Sequence, residues 1–425
     1  MTKAGYKMTE IGEIPQEWGV VKLGDVLSLI KNGVTYKQNK KDSGYPVTRI
    51  ETISEEKIDT AKIGYIDNIK TENINDYRLI KGDILFSHIN SLEHIGKTAI
   101  YEGEPELLLH GMNLLLLRSD KSKMEPYYLV YSLKFYRAKE LFKSMAKRAV
   151  NQASINQTEL KRIKIPLPPL PEQQKIAEIL STADYEIQKV DEQITLTEQF
   201  KKGLMQRLLT RGIGHTKFKM TEIGEIPEEW SVMTIRDCSA PTGNINPAST
   251  FGKDEFYYVD VSGISSEKLA ITETKRIRGI DSPSRARKLI KKDDVIFATI
   301  RPYLKRVAIV PENLDGNICS TAFCVIRANR NIILPSFLYY YAILDNFVNR
   351  VSGFQTGSAY PAVSDDQILS ELIAIPKLHE QDKVSEILST VDNKLELLGN
   401  KREKLDALKK GLMNDLLTGK VRVKV

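Results

Sequence analysis

The sequence of 425 residues has few cysteines and no long apolar run. Its three cysteines, Cys238, Cys319 and Cys324, are too few for a disulfide framework, and we expect them to be buried thiols in a reducing compartment. No stretch approaches the roughly 20 apolar residues that span a bilayer, and the opening MTKAGYKMTE has no apolar signal core. We therefore expect a soluble, cytoplasmic protein. Its 41% hydrophobic and 28% charged residues exclude wholesale disorder.

Catalytic motifs are missing as well. The chain has no [DN]PP[FYW] stretch of the kind that amino-methyltransferases use. Gly96-Lys97-Thr98 looks like the end of a phosphate-binding loop, but Ser91 stands where the first glycine of that loop is required. No metal-ligand spacing joins the cysteines to the five histidines, which are His88, His94, His110, His215 and His379. We expect a protein that is not an enzyme, with no catalytic residue, metal or cofactor of its own.

What the sequence does contain is an internal duplication. Three segments recur: KMTEIGEIPQEWGV at 7–20 returns at 219–232 with 12 of 14 positions identical, EQQKIAEILSTAD at 172–184 returns at 380–392 with 9 of 13, and KKGLMQRLLT at 201–210 returns at 409–418 with 8 of 10. Each copy has a near-constant start, a divergent middle and a near-constant end. Two copies of one scaffold with different surfaces indicate a protein that recognises two different targets.

Both divergent middles have an α+β pattern. Short β-rich runs predict strands over 45–53, 82–89, 97–101 and 114–118 in the first copy, and over 255–261, 294–300, 306–310 and 321–327 in the second. Pro126 and Pro335 each stand in the first turn of a predicted amphipathic helix. The fold class is therefore α+β, with two similar domains.

The near-constant ends predict long helices with a coiled-coil seam, because apolar residues recur there at 4-3 spacing. The residues predicted to pair the helices are Leu180, Ile187, Val190, Ile194 and Leu204 in the first helix and Leu388, Leu395, Leu398, Leu405 and Leu412 in the second. Duplicated helices in one chain most simply pair with each other about a pseudo-two-fold axis, which makes the coiled coil antiparallel. Pairing with the helices of another subunit is the alternative. Lys201, Arg402 and Lys409 interrupt the seam and could fix its register.

The order of these motifs resembles the specificity subunit of a type I restriction-modification system. The resemblance rests on IGEIPQEW and IGEIPEEW, on PPLPEQQKIAEIL and KLHEQDKVSEIL before the long helices, and on KKGLMQRLLTRG and KKGLMNDLLTGK near their ends. Lys377 and His379 depart from the family's PPLxEQ pattern in the second copy. The resemblance covers the whole chain and implies four regions, which are target-recognition domain 1 (1–160), a central conserved helix (161–212), target-recognition domain 2 (213–374) and a distal conserved helix (375–425).

The resemblance also implies a function. In the family, each recognition domain reads one half of a bipartite site in double-stranded DNA, and the helices set the spacer and dock two methyltransferase subunits. S-adenosylmethionine is expected on those subunits, and ATP and Mg²⁺ on the restriction (motor) subunits. The alternative is a non-catalytic scaffold whose two domains bind proteins. The net charge of +7 lies mostly outside the long helices and favours a polyanionic partner.

Side chains suited to phosphates and base edges cluster in predicted loops. In the first domain the predicted DNA contacts are Thr35, Tyr36, Lys37, Asn39, Lys40, Ser87, His88, Asn90, Arg148, Gln152 and Ser154. In the second they are Arg276, Arg278, Arg285, Arg287, Thr299, Arg301, Tyr303, Lys305, Gln355, Ser358 and Tyr360. Arg301, followed by Pro302-Tyr303, is the strongest single candidate.

Overall fold

The computed structural model describes residues 3–35, 43–67, 71–150, 152–355 and 361–424. The chain forms two compact units, of which unit 1 comprises Met1–Asp191 and Asn400–Val425 and unit 2 comprises Glu192–Gly399. Each unit therefore contains one divergent middle and a part of both long helices. Within the described ranges, no helix combines the length and the apolarity needed to cross a membrane.

Unit 1 contains thirteen described strands and four short helices ahead of the first long helix. The strands are β1 (Tyr6–Thr9), β2 (Gly12–Pro15), β3 (Gly19–Lys22), β4 (Leu27–Asn32), β5 (Tyr45–Val47), β6 (Gly64–Ile66), β7 (Ile84–Ser87), β8 (Ile89–Asn90), β9 (Thr98–Ile100), β10 (Leu114–Ser119), β11 (Lys147–Arg148), β12 (Ala153–Ser154) and β13 (Lys164–Leu167). The helices are α1 (Thr71–Tyr77), α2 (Pro126–Ala138), α3 (Leu141–Met145), α4 (Gln157–Lys161) and the long α5 (Leu170–Arg211).

Unit 2 repeats this plan with local differences. Its strands are β14 (Phe218–Thr221), β15 (Gly224–Pro227), β16 (Ser231–Thr234), β17 (Ser239–Ala240), β18 (Glu255–Val259), β19 (Ile264–Ser265), β20 (Ala270–Ile271), β21 (Lys275–Arg278), β22 (Ala286–Leu289), β23 (Val295–Ala298), β24 (Val307–Ile309), β25 (Ile318–Ser320), β26 (Phe323–Ala328) and β27 (Leu372–Ile375). Its helices are α6 (Pro247–Thr250), α7 (Pro335–Ala342), α8 (Asp345–Gly353), α9 (Asp365–Leu369) and the long α10 (Leu378–Leu417).

A four-stranded antiparallel sheet is central to each unit, with strand order β4-β10-β7-β9 in unit 1 and β17-β26-β23-β24 in unit 2. In unit 1, Phe86 pairs with Leu115 and both belong to the core cluster that includes α2. The next pair, Leu85 and Leu116, belongs to a separate cluster. Because successive side chains point to opposite faces, the apolar runs Ile84–Phe86 of β7 and Leu114–Leu117 of β10 cover both faces of the sheet.

Most predicted strands are confirmed, and most of them are shorter than expected, although β10 is one residue longer. The exception is the run over 45–53, of which only Tyr45–Val47 is a strand and Ile50–Ile53 is a 3-10 helix. There the Thr52 hydroxyl accepts a hydrogen bond from the Arg49 N–H at 2.8 Å and donates one to the Lys62 carbonyl at 2.8 Å. Such local bonds offer the backbone an alternative to a strand ladder. The three cysteines are buried and unpaired, as expected.

The long helices have 42 and 40 residues, as the spacing predicts. Of the ten predicted pairing residues, Leu180, Ile187, Val190 and Leu388 are buried and Ile194, Leu204, Leu395, Leu398, Leu405 and Leu412 are half-buried. α10 is followed by Gly419 at φ +72, where a Cβ would lie 2.4 Å from Pro15 Cδ. Glycine is therefore required at the end of this helix.

The near-constant start of each copy contacts the first turn of the long helix of that copy. The buried indole Nε1 of Trp18 donates to Glu172 Oε2 at 2.9 Å, and that of Trp230 donates to Glu380 Oε2 at 3.0 Å. Each bond joins the tryptophan of the repeated Glu-Trp dipeptide to the glutamate of the repeated Glu-Gln dipeptide. Since a buried carboxylate requires donors, these residues depend on each other. This contact explains why the start and end of each copy are nearly constant together.

Besides the indole, the groups that bind each buried carboxylate differ between the units. Arg422, from the C-terminal tail, donates through Nε to Glu172 Oε1 at 2.6 Å and through Nη2 to Oε2 at 3.0 Å. In unit 2, His215 Nε2 lies 2.8 Å from Glu380 Oε1, which also accepts from the Ile213 N–H at 3.0 Å. The tail thus does for unit 1 what the linker between the copies does for unit 2.

A buried ion pair is also duplicated. Arg118 Nε and Nη2 bind the two oxygens of Asp83 at 2.7 and 2.8 Å, and Arg327 binds those of Asp294 at 2.8 and 2.7 Å. Both aspartate side chains are 1% exposed. The pair raises the pKa of Arg118, chiefly through its hydrogen bond to Asp83. Each pair links the turn before one central strand, β7 or β23, to the neighbouring strand, β10 or β26.

Candidate nucleic-acid interface

In unit 1, two stretches that contain predicted contacts, 87–91 and 147–154, contribute to one small sheet. β8 follows directly after the central strand β7, and it pairs with β12, which pairs with β11. The register places Asn90 opposite Ala153 and Arg148 opposite Ala153 on the other side. Residues separated by about 60 positions in sequence are therefore brought together at one end of the central sheet.

The side chains of this unit 1 loop differ in accessibility. Arg148 and Gln152 are exposed, and Asn90 is half-buried and donates to Ser87 Oγ at 3.0 Å. Ser87 and His88 are buried, and burial lowers the pKa of His88 to about 4, so its imidazole is neutral at pH 7. Of this group, Arg148, Gln152 and Asn90 are the side chains that DNA could reach directly.

In unit 2, the loop after β23 occupies the equivalent position. Ile300 forms a bridge with Ala362, and the Arg301 N–H donates to the Pro361 carbonyl at 2.8 Å. Thr299 is buried, and its hydroxyl donates to the Ala322 carbonyl at 3.0 Å. Arg301 and Tyr303 are exposed, so the loop presents a guanidinium and an aromatic ring.

A cavity of about 380 Å³ lies against this loop. Its lining residues are Val261, Arg285, Ile300, Arg301, Leu304 and Arg306. Three guanidinium groups around apolar walls form a site for an anion or for a group rich in hydrogen-bond acceptors. No carboxylate is among those described lining residues.

Two stretches of the chain, residues 15–198 and 227–407, match the family model of the type I restriction modification DNA specificity domain. The chain belongs to this family. It is 43% identical to the putative type I restriction enzyme MjaX specificity subunit of Methanocaldococcus jannaschii, with 99% of this chain and 97% of the relative covered. The MjaVIII specificity subunit of the same organism is 28% identical, with 97% and 94% covered. The crystal structure of the S subunit from M. genitalium shares the fold, with a TM-score of 0.58 at 16% identity over 98% of this chain and 99% of that one.

The chain is thus a type I specificity subunit, a non-catalytic component that directs the other subunits of its system. Each matched stretch contains one of the two strand-end loops. The first includes residues 87–91 and 147–154, and the second includes residues 285–306. The two halves of the specificity subunit therefore present loops of different chemistry at equivalent positions of one scaffold.

Several predicted contacts of the specificity subunit lie away from these loops or carry other partners. Arg276 and Arg278 are on β21, at the opposite edge of their sheet from β22, and are paired with Glu255 and Asp281 at 2.7 Å each. Arg287 Nη1 donates to Asn246 Oδ1 at 2.9 Å.

The remaining predicted contacts are ion-paired, partly buried, close to an undescribed stretch or within one. Lys305 is ion-paired with Asp345, and the pair lowers the pKa of Asp345, chiefly through the hydrogen bond from Lys305. Ser154 is half-buried, and Thr35 is exposed at the end of a described stretch. Gln355 is half-buried, and its buried Nε2 makes no hydrogen bond to a residue that the structure describes. Tyr36, Lys37, Asn39, Lys40, Ser358 and Tyr360 lie outside the described residues.

Arg306 closes the basic stretch 275–306 of the sequence, but it is not among the predicted contacts. It lies in the cavity beside Arg285 and Arg301. Its Nη1 donates to the Val261 carbonyl at 2.9 Å. The signal that could have selected it is its position, because Arg301 and Arg306 flank one short loop between two strands.

Proposed function

We propose that each unit reads one half of a bipartite site in double-stranded DNA. The observation that carries this proposal is the equivalent placement of two chemically different loops. Both loops follow equivalent central strands, β7 in one unit and β23 in the other. Arg148 and Gln152 lie beside the first loop in the small sheet, whereas Arg301 and Arg306 are on the second loop and Arg285 lies beside it. Guanidinium and amide groups are the side-chain groups that bind phosphates and purine edges. The functional division into recognition domains at 1–160 and 213–374 and conserved regions at 161–212 and 375–425 is part of this proposal.

The proposal includes an antiparallel coiled coil of α5 with α10, related by a pseudo-two-fold axis. Within unit 1, Lys409 of α10 pairs with Asp184 of α5; within unit 2, Lys201 of α5 pairs with Asp392 of α10 at 2.5 Å. These positions correspond in the two copies, so each helix gives the lysine to one pair and the aspartate to the other. Such reciprocity is what a two-fold axis produces. It supports pairing within the chain over pairing with another subunit's helices.

We further propose that the helices set the spacer between the half-sites and dock two methyltransferase subunits. Helices of about 40 residues are roughly 60 Å long at 1.5 Å per residue. S-adenosylmethionine would bind the methyltransferase subunits, and ATP and Mg²⁺ the restriction subunits, in the cytoplasm where the host DNA lies.

The scaffold alternative explains the duplication equally well, but it gives no reason for three arginines in one apolar cavity. Salt dependence separates the two. A DNA reader releases counterions when it neutralises phosphates, so log K falls linearly with log salt. A protein-binding scaffold gives no such slope with duplex DNA.

Methylation mapping tests the proposal directly. The chain is co-expressed with the methyltransferase subunit of its system in a host that lacks other adenine methylation. We expect methylation at a split sequence with two specified halves and a fixed gap. Methylation that is absent, or identical without this chain, would refute the proposed function.

A further inference from the structure

The loop that borders the arginine-lined cavity has unusual backbone geometry. Arg301 and Lys305 both have φ of +50, one on each side of the 3-10 helix Pro302–Leu304. For residues with a Cβ, the left-handed region costs about 1–2 kcal/mol each. The loop is held in this form by the Arg301 N–H bond to Pro361 and by the ion pair of Lys305 with Asp345. Surrounding contacts therefore stabilise a strained loop in one shape.

That shape produces a convex tip beside a concave site. Tyr303 is 51% exposed and Leu304 is 37% exposed at the tip. Directly beside them, Arg285 and Arg306 face the cavity together with the apolar side chains of Val261 and Ile300. The bond from Arg306 Nη1 to the Val261 carbonyl holds this guanidinium beside the cavity. A guanidinium held in this way can donate from its other terminal N–H groups to an anion in the cavity.

The shapes of protein and DNA distinguish the two roles. Base edges lie at the floor of a groove and are reached by parts that protrude, whereas a concave site receives a part of the DNA that itself protrudes, which is the sugar-phosphate backbone. We propose that the cavity of Arg285 and Arg306 is a binding site for one backbone phosphate, and that it positions the Tyr303–Leu304 tip in the adjacent groove. This inference rests on the proposed function and assigns the ligand of that site.

In unit 1, Lys97 occupies the position that corresponds to Arg306, because the Ser87 N–H donates to the Lys97 carbonyl at 2.8 Å as the Ala298 N–H donates to the Arg306 carbonyl at 3.0 Å. The Lys97 ammonium donates to the Ser54 carbonyl. A lysine supplies a point charge and not the planar donor fork of an arginine. The guanidinium site is thus a feature of the second recognition domain.

The test uses the full chain assembled with its methyltransferase subunits and a duplex that contains the mapped site. Arg306→Gln should weaken binding roughly 10- to 100-fold, the range for a lost hydrogen bond to a charged group. It should reduce the salt slope by about one, to a similar extent on cognate and non-cognate duplexes, while the methylated sequence stays the same. Arg285→Gln, an exposed position, should act in the same direction and guards against a folding defect of the first variant.

A neutral methylphosphonate is then moved along each DNA strand. With the wild-type protein, one position should reproduce the loss, and at that position Arg306→Gln should make no further difference. Arg330→Gln is the matched control, because it removes one arginine at the opposite end of β23, where Arg330 pairs with Asp293. Thermal unfolding of each variant is measured alongside.

Three results would overturn the inference: a salt slope equal to that of Arg330→Gln, a change in the methylated half-site, or a loss that no single phosphate reproduces. If the wild-type chain directs no bipartite methylation at all, the proposed function itself fails, which is a separate outcome.

Discussion

Reversing the charge of Lys409 should destabilise unit 1, and a second reversal at Asp184 should recover only part of the loss. Lys409 is 19% exposed and Asp184 is 40% exposed, so the pair is partly screened. At contact distance and an effective dielectric of about 20, the Coulomb energy is about 5 kcal/mol, most of which desolvation and screening offset. We expect a net coupling of about 1–2 kcal/mol.

The structure also explains why recovery is incomplete. Asp184 Oδ2 accepts from the Tyr131 hydroxyl at 2.7 Å. Burial raises the pKa of Tyr131, so this hydroxyl remains a donor. It loses its shorter hydrogen bond when lysine replaces Asp184 and keeps only the longer one to Ser181 Oγ at 3.3 Å. That loss costs about 1 kcal/mol. Lys409→Asp should therefore lower the free energy of unfolding by about 2–4 kcal/mol, and Asp184→Lys with Lys409→Asp by about half as much.

The assay is denaturant unfolding of the full chain, analysed as a double-mutant cycle. The corresponding pair in unit 2, Lys201 with Asp392, is an independent repeat, because Tyr340 donates to Asp392 at 2.7 Å there as well. Lys175→Glu is the control, since Lys175 pairs with Glu178 only along the surface of α5. A coupling below about 0.3 kcal/mol in both units, the level of an exposed pair, would refute the idea that these pairs hold the helices together.

Three further predictions concern stability and spacing. Arg327→Met should lower the unfolding free energy by about 3–5 kcal/mol in denaturant titrations, because it leaves the buried Asp294 carboxylate without its partner; a loss below about 1 kcal/mol would contradict this. Burial lowers the pKa of both His88 and His110 to about 4. Because the unfolded chain binds these protons near pH 6.5, stability is complete above that pH and declines towards pH 4; His110→Gln should flatten the unfolding free energy between pH 7 and 5, and an unchanged profile would count against it. Adding seven residues to both long helices should lengthen the preferred spacer by about three base pairs, since a heptad adds about 10.5 Å. An unchanged gap in methylation mapping would refute the proposal that the helices set the spacer.

The duplication made much of the fold predictable. Repeated motifs mark the starts and ends of both copies, and short β-rich apolar runs locate the central strands. The prediction of one strand over 45–53 is wrong beyond Val47, because the Thr52 side chain forms hydrogen bonds with nearby backbone groups. An apolar pattern in the sequence does not reveal such bonds. The role of Glu172 was equally invisible, since its partners Trp18 and Arg422 lie at distant places in the chain.

The candidate interface was predictable in composition but not in geometry. Sequence alone selects Arg285 and Arg301, because basic residues cluster in loops of the second copy. It does not distinguish them from Arg276, which forms an ion pair with Glu255 on a neighbouring strand. Nor does it select Arg306, which lines the apolar cavity. The pairing of strands decides which of these arginines lie together, and it depends on contacts between residues that are far apart in the chain.

The contacts of the two buried glutamates show how one scaffold accommodates both a chain end and a linker. Glu172 and Glu380 each need donors beyond the indole N–H, because a buried carboxylate has several acceptor sites. In unit 2 the linker supplies His215 and the Ile213 N–H, whereas in unit 1 the C-terminal tail supplies Arg422. The tail is therefore a structural part of unit 1, in the same way as the linker is a structural part of unit 2.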